Sequence, residues 1–284
     1  MKIALIIVGI LLLLFGLWLL SLRAKRKPKG FYGLTAWHYA HRGLHSKEAG
    51  IPENSLLAFR LALKKGYGAE LDVHLTKDGK LAVMHDESLK RTAGVEKNIR
   101  DCTAEELKKL RLEDTLEPIP MLEEVLDLYA GKAPLVVEIK ACQGNHKELT
   151  KTVCEMLDRY PALQYCIESF DPRVLLWLKK HRPEIIRGQL SCRIDSQRDG
   201  APVIIAWLLT CLFFNFLTVP HFVAYRFEDR KNLALRLCAK VWGVQKFSWT
   251  IRKNEDGETA LREGSAIIFE NYCPETRKSS CTTN

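Results

Sequence analysis

The sequence predicts an α/β fold, a TIM (β/α)8 barrel, with an N-terminal transmembrane helix before it. An apolar run without charges opens the chain, about 250 residues follow it, and short runs rich in branched residues alternate there with helix-like stretches. About 250 residues is the usual length of one such barrel. We therefore expect a transmembrane anchor at 1–22, a basic juxtamembrane linker at 23–36, the barrel at 37–276 and a polar tail at 277–284.

The anchor is predicted from residues 3–22, which are almost all apolar and carry no charge. About 20 helical residues cross roughly 30 Å of hydrocarbon. A cleaved signal peptide is the alternative, but it usually has a shorter apolar region and a small-residue cleavage site, whereas this run passes directly into Arg23–Lys27. Because positive charge favours the cytoplasmic side, we expect a single-pass protein of the cell membrane with its barrel in the cytoplasm.

Charge and cysteine usage exclude some classes of protein. The net charge is +9, but six basic residues precede residue 30 without any acid, so the remaining 37 basic and 34 acidic residues differ by only +3. A nucleic-acid partner is not expected, since its surface would need clustered basic residues. The nine cysteines show no metal-binding spacing and no disulfide framework, which favours a reducing compartment. No obligate protein partner is predicted.

Eight apolar runs are suitable as the strands of a closed barrel. The connection Thr76–Lys80 is too short for a parallel crossover, so the runs that flank its Asp-Gly turn are expected to form a hairpin. Helices are expected between the runs, with Ser55 and Thr103 near helix starts and Gly66 at a helix end. The eight runs are 37–41, 69–75, 81–85, 135–139, 165–170, 185–190, 221–225 and 241–249.

A second apolar stretch covers residues 203–219 and contains Asn215. Its length alone would allow a second membrane span. Such a span would separate the runs after His221 from the strands with which they must pair. We therefore favour a buried or membrane-surface helix in the outer ring of the barrel, with Trp207, Phe213 and Phe216 among the side chains that could touch lipid.

Three acids suggest a site for a divalent cation. Glu70 and Asp72 alternate on one strand and share a face, and Glu138 occupies the corresponding place two residues before Lys140. Carboxylates that converge at the mouth of a barrel are suitable ligands for a hard cation such as Ca²⁺ or Mg²⁺. The alternative is that these charges pair with one another or face solvent.

Two histidines strengthen the prediction of an active site. His41 and His85 each end a predicted strand, which is where barrel enzymes place their catalytic groups. Imidazoles exchange protons near neutral pH, and Arg42 and Lys140 could hold a phosphate. We expect no chemical role for the remaining histidines, which are His38, His45, His74, His146, His181 and His221.

These residues resemble the glycerophosphodiester phosphodiesterase family over about residues 38–274. The resemblance rests on the motifs His41-Arg42-Gly43, Pro52-Glu53-Asn54-Ser55, Glu70-Leu71-Asp72-Val73, Thr76-Lys77-Asp78-Gly79, His85-Asp86, Glu138-Ile139-Lys140 and Ser169-Phe170, and more weakly on Tyr225-Arg226 and Trp249-Thr250. It implies a barrel hydrolase that uses Ca²⁺ or Mg²⁺ to release an alcohol and sn-glycerol 3-phosphate, with a neighbouring glycerol hydroxyl as the attacking group.

The resemblance also implies roles for individual residues. Glu70, Asp72 and Glu138 would bind the metal, His41 and His85 would form the acid/base pair, and the substrate contacts would be Arg42, Lys140 and Trp249. The stretch from Glu87 to Pro134 would include the inserted cap of the family.

Two positions depart from the family pattern. Ser55 stands where threonine is usual, which still permits helix capping. Phe269-Glu270-Asn271 replaces the closing Thr-Asp pair, so the role of that aspartate is open here, although Glu270 keeps a carboxylate.

The expected substrate is a glycerophosphodiester or a lysophospholipid near the bilayer. A lysophospholipase D or a phosphatidylinositol-type phospholipase is the alternative enzyme. An inactive membrane-bound binding module is the alternative of another class, although all seven candidate catalytic, metal and phosphate residues are present.

Overall fold

The computed structural model describes residues 2–25, 31–194 and 202–276, and a closed parallel barrel forms its centre. Strand β1 pairs with both β2 and β9, which closes the sheet, and β3 lies antiparallel to β2 as a hairpin partner outside the barrel. The strands are β1 Tyr39–Ala40, β2 Gly68–Leu75, β3 Leu81–Val83, β4 Leu135–Ile139, β5 Tyr165–Ser169, β6 Arg187–Ser191, β7 Phe222–Arg226, β8 Gln245–Ile251 and β9 Ser265–Phe269.

The predicted fold class is confirmed, but one of the eight predicted barrel strands is wrong. The run at 81–85 forms the hairpin strand β3, which lies outside the barrel. The eighth barrel strand is β9, which was not predicted. The Thr76–Lys80 turn is confirmed as the hairpin connection, where the Thr76 hydroxyl accepts the Lys80 N–H at 2.8 Å. The eighth predicted run also began too early, because residues 241 and 242 end a helix and β8 begins at Gln245.

Helices surround the barrel and connect its strands. The α-helices are α1 Lys2–Ser21, α2 Phe31–Thr35, α3 Leu56–Lys64, α4 Lys90–Ala93, α5 Ala104–Lys109, α6 Leu122–Tyr129, α7 His146–Leu157, α8 Pro172–His181, α9 Val203–Thr210, α10 Asn215–Thr218, α11 Leu233–Trp242 and α12 Asn254–Arg262. Two 3₁₀ turns lie at Ile99–Asp101 and Phe227–Asp229. Ser55 caps α3 by accepting the Ala58 N–H at 3.1 Å, so serine performs the expected capping.

The amino-terminal end of the barrel is closed by α2, which lies inside the segment expected to be a linker. Phe31 is 1% exposed and its ring lies 6.1 Å from that of Phe222 inside the barrel. The Tyr39 hydroxyl donates to the Leu34 carbonyl at 2.7 Å. Because these contacts close the lower end of the barrel, ligands reach its interior from the carboxyl ends of the strands.

Helix α1 projects from the barrel. Of the described helices, it is the one long and apolar enough to cross a membrane, and none of its most apolar stretch is buried. Only its carboxyl end is packed: Trp242 Nε1 donates to the Leu19 carbonyl at 2.9 Å, and Leu22 is fully buried against α11. The Lys25 N–H donates to the Pro220 carbonyl at 2.9 Å, which connects the segment after α1 to the residues just before β7.

The second apolar stretch forms two short helices in the outer ring. Helix α9 has eight residues and α10 has four, so neither approaches the roughly 30 Å needed for a span. The reading of 203–219 as a second span is therefore wrong, and its placement in the outer ring is confirmed. Asn215, the polar residue inside this stretch, is fully buried beside Cys238.

The connection from Glu87 to Pro134 has a small core of its own, which includes Leu89, Ile99, Leu107 and Ile119. None of its residues lines the main cavity, but Arg91 contacts Glu53 and Asp86, which in turn contact the lining residues Arg42 and His85. Among the described residues, five cysteines are buried: Cys102, Cys154, Cys166, Cys192 and Cys238. Cys281 and the tail at 277–284 lie outside the described residues.

Candidate active site

A cavity of about 930 Å³ opens at the carboxyl ends of the barrel strands. One part of its wall is charged and the other is apolar. Its lining residues are His41, Arg42, Glu70, His85, Glu138, Lys140, Glu168, Phe170, Leu190, Cys192, Arg193, Ile194, Leu209, Arg226, Trp249 and Ile268. All the sequence-predicted site residues except Asp72 line it, and the carboxylate of Asp72 contacts Lys140 and Arg42.

The turn after β1 places His41 and Arg42 at the mouth of the barrel. The His41 N–H donates to the Phe269 carbonyl at 2.8 Å, and the Arg42 N–H donates to Glu70 Oε2 at 3.1 Å. Arg42 and Gly43 both have positive φ angles, 54° and 79°. A Cβ on Gly43 would lie 2.8 Å from the Cβ of Ala58, so the tight turn requires glycine at this position.

Three acids converge as the sequence predicted. Glu70, Asp72 and Glu138 each offer a carboxylate oxygen, and these oxygens lie within 4.8 Å of one another. The pairing of Asp72 with Glu138 across β2 and β4 brings two of them side by side, and the two-residue spacing puts Glu70 on the same face. All three side chains are buried, so their charges cannot be screened by water.

Two cations face these acids. Lys140 Nζ lies 3.0 Å from Asp72 Oδ1 and 2.8 Å from Glu138 Oε1. Arg42 Nε lies 3.5 Å from Asp72 Oδ2, and Asn54 donates to the same oxygen at 2.8 Å. The alternative reading, in which the acids pair with neighbouring charges, is therefore partly correct for Asp72 and Glu138.

Acidic groups outnumber basic groups in the floor of the cavity. Glu168 pairs in register with Glu138 and adds a fourth buried carboxylate, whose Oε2 has no hydrogen-bond partner among the described residues. Burial raises the pKa of Glu70, and the nearby Asp72 and Glu138 raise it further. If all four acids are ionised, Lys140 and Arg42 balance only two of the negative charges, and a divalent cation would neutralise the other two. An all-oxygen donor set suits a hard cation. The cluster therefore fits a divalent metal.

The two histidines are oriented alike by carboxylates. His41 Nδ1 lies 2.6 Å from Glu270 Oε2, and His85 Nδ1 lies 2.6 Å from Asp86 Oδ1. A carboxylate accepts a hydrogen bond, so in each neutral ring the proton is on Nδ1 and the lone pair is on Nε2. Burial lowers the pKa of His41 to about 4, although the hydrogen bond to Glu270 opposes this shift.

A row of ion pairs connects Arg42 to His85. Glu53 Oε1 lies 3.0 Å from Arg42 Nη1 and 2.6 Å from Arg91 Nη2. Arg91 Nε in turn lies 2.5 Å from Asp86 Oδ2, and Asp86 holds His85. These contacts give Glu53 of the Pro52-Glu53-Asn54 motif a role, because its carboxylate orients the guanidinium group of Arg42.

The apolar wall of the cavity contains the predicted contact Trp249. Its ring lies edge-to-face against Phe170 with centroids 5.8 Å apart, and its buried Nε1 has no hydrogen-bond partner among the described residues. Ile194 and Leu209 extend the wall towards the mouth. The indole can therefore donate to a polar group of a substrate while the wall packs against an apolar one.

Glu168 was not among the predicted site residues, and no chemical role was expected for His45. Glu168 follows the same signal as Glu70, a carboxylate inside a barrel strand, and could have been found from it. His45 Nε2 lies 3.6 Å from Glu270 Oε2, a proximity made by the turn after β1 and invisible in the sequence pattern. His74 Nε2 lies 3.1 Å from the His85 carbonyl. His221 is buried under the barrel beside Arg187.

Comparison with known proteins agrees with this geometry. The sequence model of the glycerophosphoryl diester phosphodiesterase family matches residues 41–272. A glycerophosphodiester phosphodiesterase of Caldanaerobacter subterraneus is 35% identical over 251 residues, 84% of this chain and 94% of the relative. Human lysophospholipase D is 35% identical over 136 residues, which cover 43% of this chain and 41% of that protein.

Solved structures of phosphodiesterases have a similar fold. An Oleispira antarctica phosphodiesterase in complex with the product sn-glycerol-3-phosphate superposes with a TM-score of 0.69 at 25% identity, covering 85% of this chain and 95% of that one. A Thermotoga maritima glycerophosphodiester phosphodiesterase gives a TM-score of 0.62 at 28% identity, covering 82% and 94% of the two chains. The chain belongs to the glycerophosphoryl diester phosphodiesterase family and is a phosphoric diester hydrolase.

Proposed function

We propose that the protein hydrolyses glycerophosphodiesters to an alcohol and sn-glycerol 3-phosphate at the surface of the membrane that holds α1. The observation that carries this proposal is the convergence of three acids, two histidines and two phosphate-binding cations on one cavity. The relative and the product complex described above act on or contain the same chemical groups.

Glu70, Asp72 and Glu138 would hold the divalent cation, which supplies positive charge for the phosphate oxygens as negative charge develops on them. Both Ca²⁺ and Mg²⁺ accept carboxylate ligands, so either could serve. Arg42 and Lys140 bind the phosphate beside this site. Their own carboxylate partners hold them in place, so little reorganisation is needed when substrate binds.

His41 and His85 move protons at Nε2. One removes the proton from the glycerol hydroxyl as its oxygen attacks phosphorus, and the other donates a proton to the oxygen of the departing alcohol, which leaves a cyclic phosphate of glycerol. Water then attacks phosphorus and opens the cyclic phosphate with the two proton-transfer roles exchanged, which gives sn-glycerol 3-phosphate. Each imidazole is held by a carboxylate at Nδ1, which fixes its tautomer and favours its charged form during the reaction.

Lysophospholipids are the second candidate substrate class. The apolar wall formed by Phe170, Ile194, Leu209 and Trp249 would accommodate an acyl chain, whereas a small water-soluble headgroup needs no such wall. This observation supports a lysophospholipase D activity.

The cellular setting is proposed from the anchor. The exposed apolar surface of α1 suits insertion into a bilayer, and the basic residues after it suit a cytoplasmic barrel. We propose a single-pass protein of the cell membrane with its active site in the cytoplasm.

Product analysis of the purified full chain in nanodiscs tests these proposals. We expect glycerophosphocholine to yield choline and sn-glycerol 3-phosphate, followed by ³¹P NMR, and His41→Ala and His85→Ala to abolish this yield. His181→Ala, at an exposed position on α8, is the matched control and should retain the parent rate. Release of lysophosphatidic acid from lysophosphatidylcholine would identify the lipid activity. A folded parent protein that turns over neither substrate would instead support the inactive binding module.

A further inference from the structure

Beside the anchor, the outer ring of the barrel exposes an unusually apolar surface. We define the collar face as the exposed side chains of α9, α10 and α11. Its large apolar members are Val203, Ile204, Ile205, Trp207, Phe216, Leu217, Leu233 and Val241, which are 71%, 71%, 40%, 60%, 41%, 40%, 58% and 49% exposed. Isolated exposed apolar residues are normal on a soluble protein, but a group on neighbouring helices marks an interaction surface.

The collar face is continuous with the root of the membrane helix. Helix α11 contacts α1 through Trp242 and also through Cys238, whose Sγ donates to the Leu22 carbonyl at 3.2 Å. Helix α10 contacts α1 as well. Leu233 and Val241 lie eight residues apart on α11 and so share one side of that helix. A bilayer that contains α1 must therefore come close to this part of the barrel.

The charges around the collar face suit an anionic bilayer. Residues 202–219 contain no charged side chain, and α11 contains Arg236 and Lys240 but no acid. Arg23 and Lys25 stand at the root of α1, and Lys179 of α8 contacts α10 through the Leu217 carbonyl. Basic residues beside exposed apolar ones are typical of a surface that lies in the headgroup region of a membrane.

The collar face also leads to the active site. Leu209, at the carboxyl end of α9, lines the cavity. The Ser191 hydroxyl donates to the Leu209 carbonyl at 3.0 Å, and the Tyr225 hydroxyl donates to the Thr210 carbonyl at 2.9 Å, so this end of α9 is fixed to the barrel mouth. One short helix thus carries exposed apolar residues at its start and cavity wall at its end.

We infer that the collar face is a second membrane-binding surface, which lies on an anionic phospholipid bilayer and holds the cavity wall at Leu209 beside the lipid. The contacts of the carboxyl end of α1 with α10 and α11 hold this side of the barrel beside the bilayer. The collar face fixes one orientation, in which a lipid substrate could pass from the bilayer along α9 to the cavity. The orientation itself does not depend on the proposed activity.

Lipid quenching of added tryptophans tests this inference in the full chain. Leu233→Trp places an indole on the collar face, and Leu116→Trp places one on a loop residue that is 90% exposed and outside the collar face. Each variant is incorporated at one copy per nanodisc, in equal parts phosphatidylcholine and phosphatidylglycerol, with or without bromine on the acyl chains near the headgroup. The emission of the parent chain is subtracted to give the emission of the added indole.

We expect brominated lipid to quench most of the added emission in Leu233→Trp and little of it in Leu116→Trp. Trp207→Phe provides a second measurement. Because Trp207 lies on the collar face, its removal should lower the fraction of total tryptophan emission that brominated lipid quenches. All three variants alter exposed side chains, so we expect each of them to fold. Equal quenching of Leu233→Trp and Leu116→Trp would overturn the inference. Because one copy occupies each disc, this result would assign the collar face to a second copy or another protein. Neither outcome depends on catalysis, so a failed activity assay is distinguishable from a failed orientation.

Discussion

The Nδ1 atom of His41 donates a hydrogen bond to Oε2 of Glu270 at a distance of 2.6 Å. Burial alone would raise the pKa of Glu270, but the hydrogen bond with His41, the nearby ring of His45 and the positive charge of Arg252 hold it well below its usual range. The carboxylate is therefore ionised at neutral pH. Arg252 holds the other oxygen at 2.7 Å, so Glu270 has a fixed orientation. The glutamate that departs from the family pattern thus positions a candidate catalytic histidine.

Glu270→Gln should lower kcat about 10- to 100-fold with little change in KM, because the amide removes the negative charge that holds and stabilises the imidazolium. The acidic limb of the kcat/KM profile should also move to lower pH, since loss of a nearby negative charge lowers the pKa of His41. Glu263→Gln, which removes a carboxylate on the far side of the barrel, is the control. An unchanged pH profile for Glu270→Gln would show that this carboxylate does not act through His41.

The turn that carries His41 should be sensitive to a single methyl group at Gly43. Gly43→Ala adds a Cβ into contact with Ala58 at a residue with φ of 79°, so it combines backbone strain with a steric clash. We expect a loss of about 2–4 kcal/mol in the free energy of unfolding, measured by denaturant titration. Gly79→Ala is a matched control, because Gly79 also has a positive φ but faces open space, and it should cost about 1 kcal/mol. Equal costs at the two positions would show that close packing at Ala58 is unimportant.

His221 should make the fold sensitive to mild acid. Its buried Nδ1 accepts the Arg187 N–H at 3.2 Å, and burial, followed by the positive charge of Arg187, lowers its pKa to about 3. At pH 7.5 the ring is neutral in both the folded and the unfolded state. As the pH falls below about 6.5 the unfolded state binds a proton that the folded state does not, so the folded state loses relative stability until its own pKa is reached.

The variant His221→Gln removes this proton uptake. At pH 7.5 it should be less stable than the parent by about 1 kcal/mol, because a buried hydrogen bond is weakened. Between pH 7.5 and pH 5 the parent should lose about 1–2 kcal/mol relative to the variant, so the two stabilities should converge. His181→Gln, at an exposed ring, serves as the control and should follow the parent. A constant difference between parent and His221→Gln across this range would contradict the shifted pKa.

The parts of the fold that the sequence predicted are those with strong periodic signals. Long apolar strands such as β2 and β4 and the Asp-Gly hairpin were recognised because local pattern and tertiary packing agree. Strand β9 was missed because the five-residue run at Ser265 directly follows a helix and resembles its continuation. The role of α2 was missed because a short helix in a basic segment has no pattern of its own; the buried rings of Phe31 and its partners create it.

The predicted residues of the candidate site lie mostly along strands, although Glu168 of β5 was missed, and contacts that depend on loops were not predicted. Glu70, Asp72 and Glu138 were found because charge inside an apolar strand is costly and so is informative. Glu53 and Arg91, in contrast, meet through the fold of the inserted connection, and no spacing in the sequence predicts that contact. The position of His45 beside Glu270 has the same origin.

We propose that Glu70, Asp72 and Glu138 hold a divalent cation that phosphodiester hydrolysis requires. The most direct measurement is the rate of glycerophosphocholine hydrolysis by the full chain in nanodiscs after EDTA treatment and again after titration with Ca²⁺ or Mg²⁺, with the melting temperature followed in parallel. We expect EDTA to abolish turnover and lower the melting temperature, and one of the two cations to restore both in the parent but neither in Glu70→Gln. Undiminished hydrolysis in EDTA, or equal recovery by Glu70→Gln, would contradict the claim.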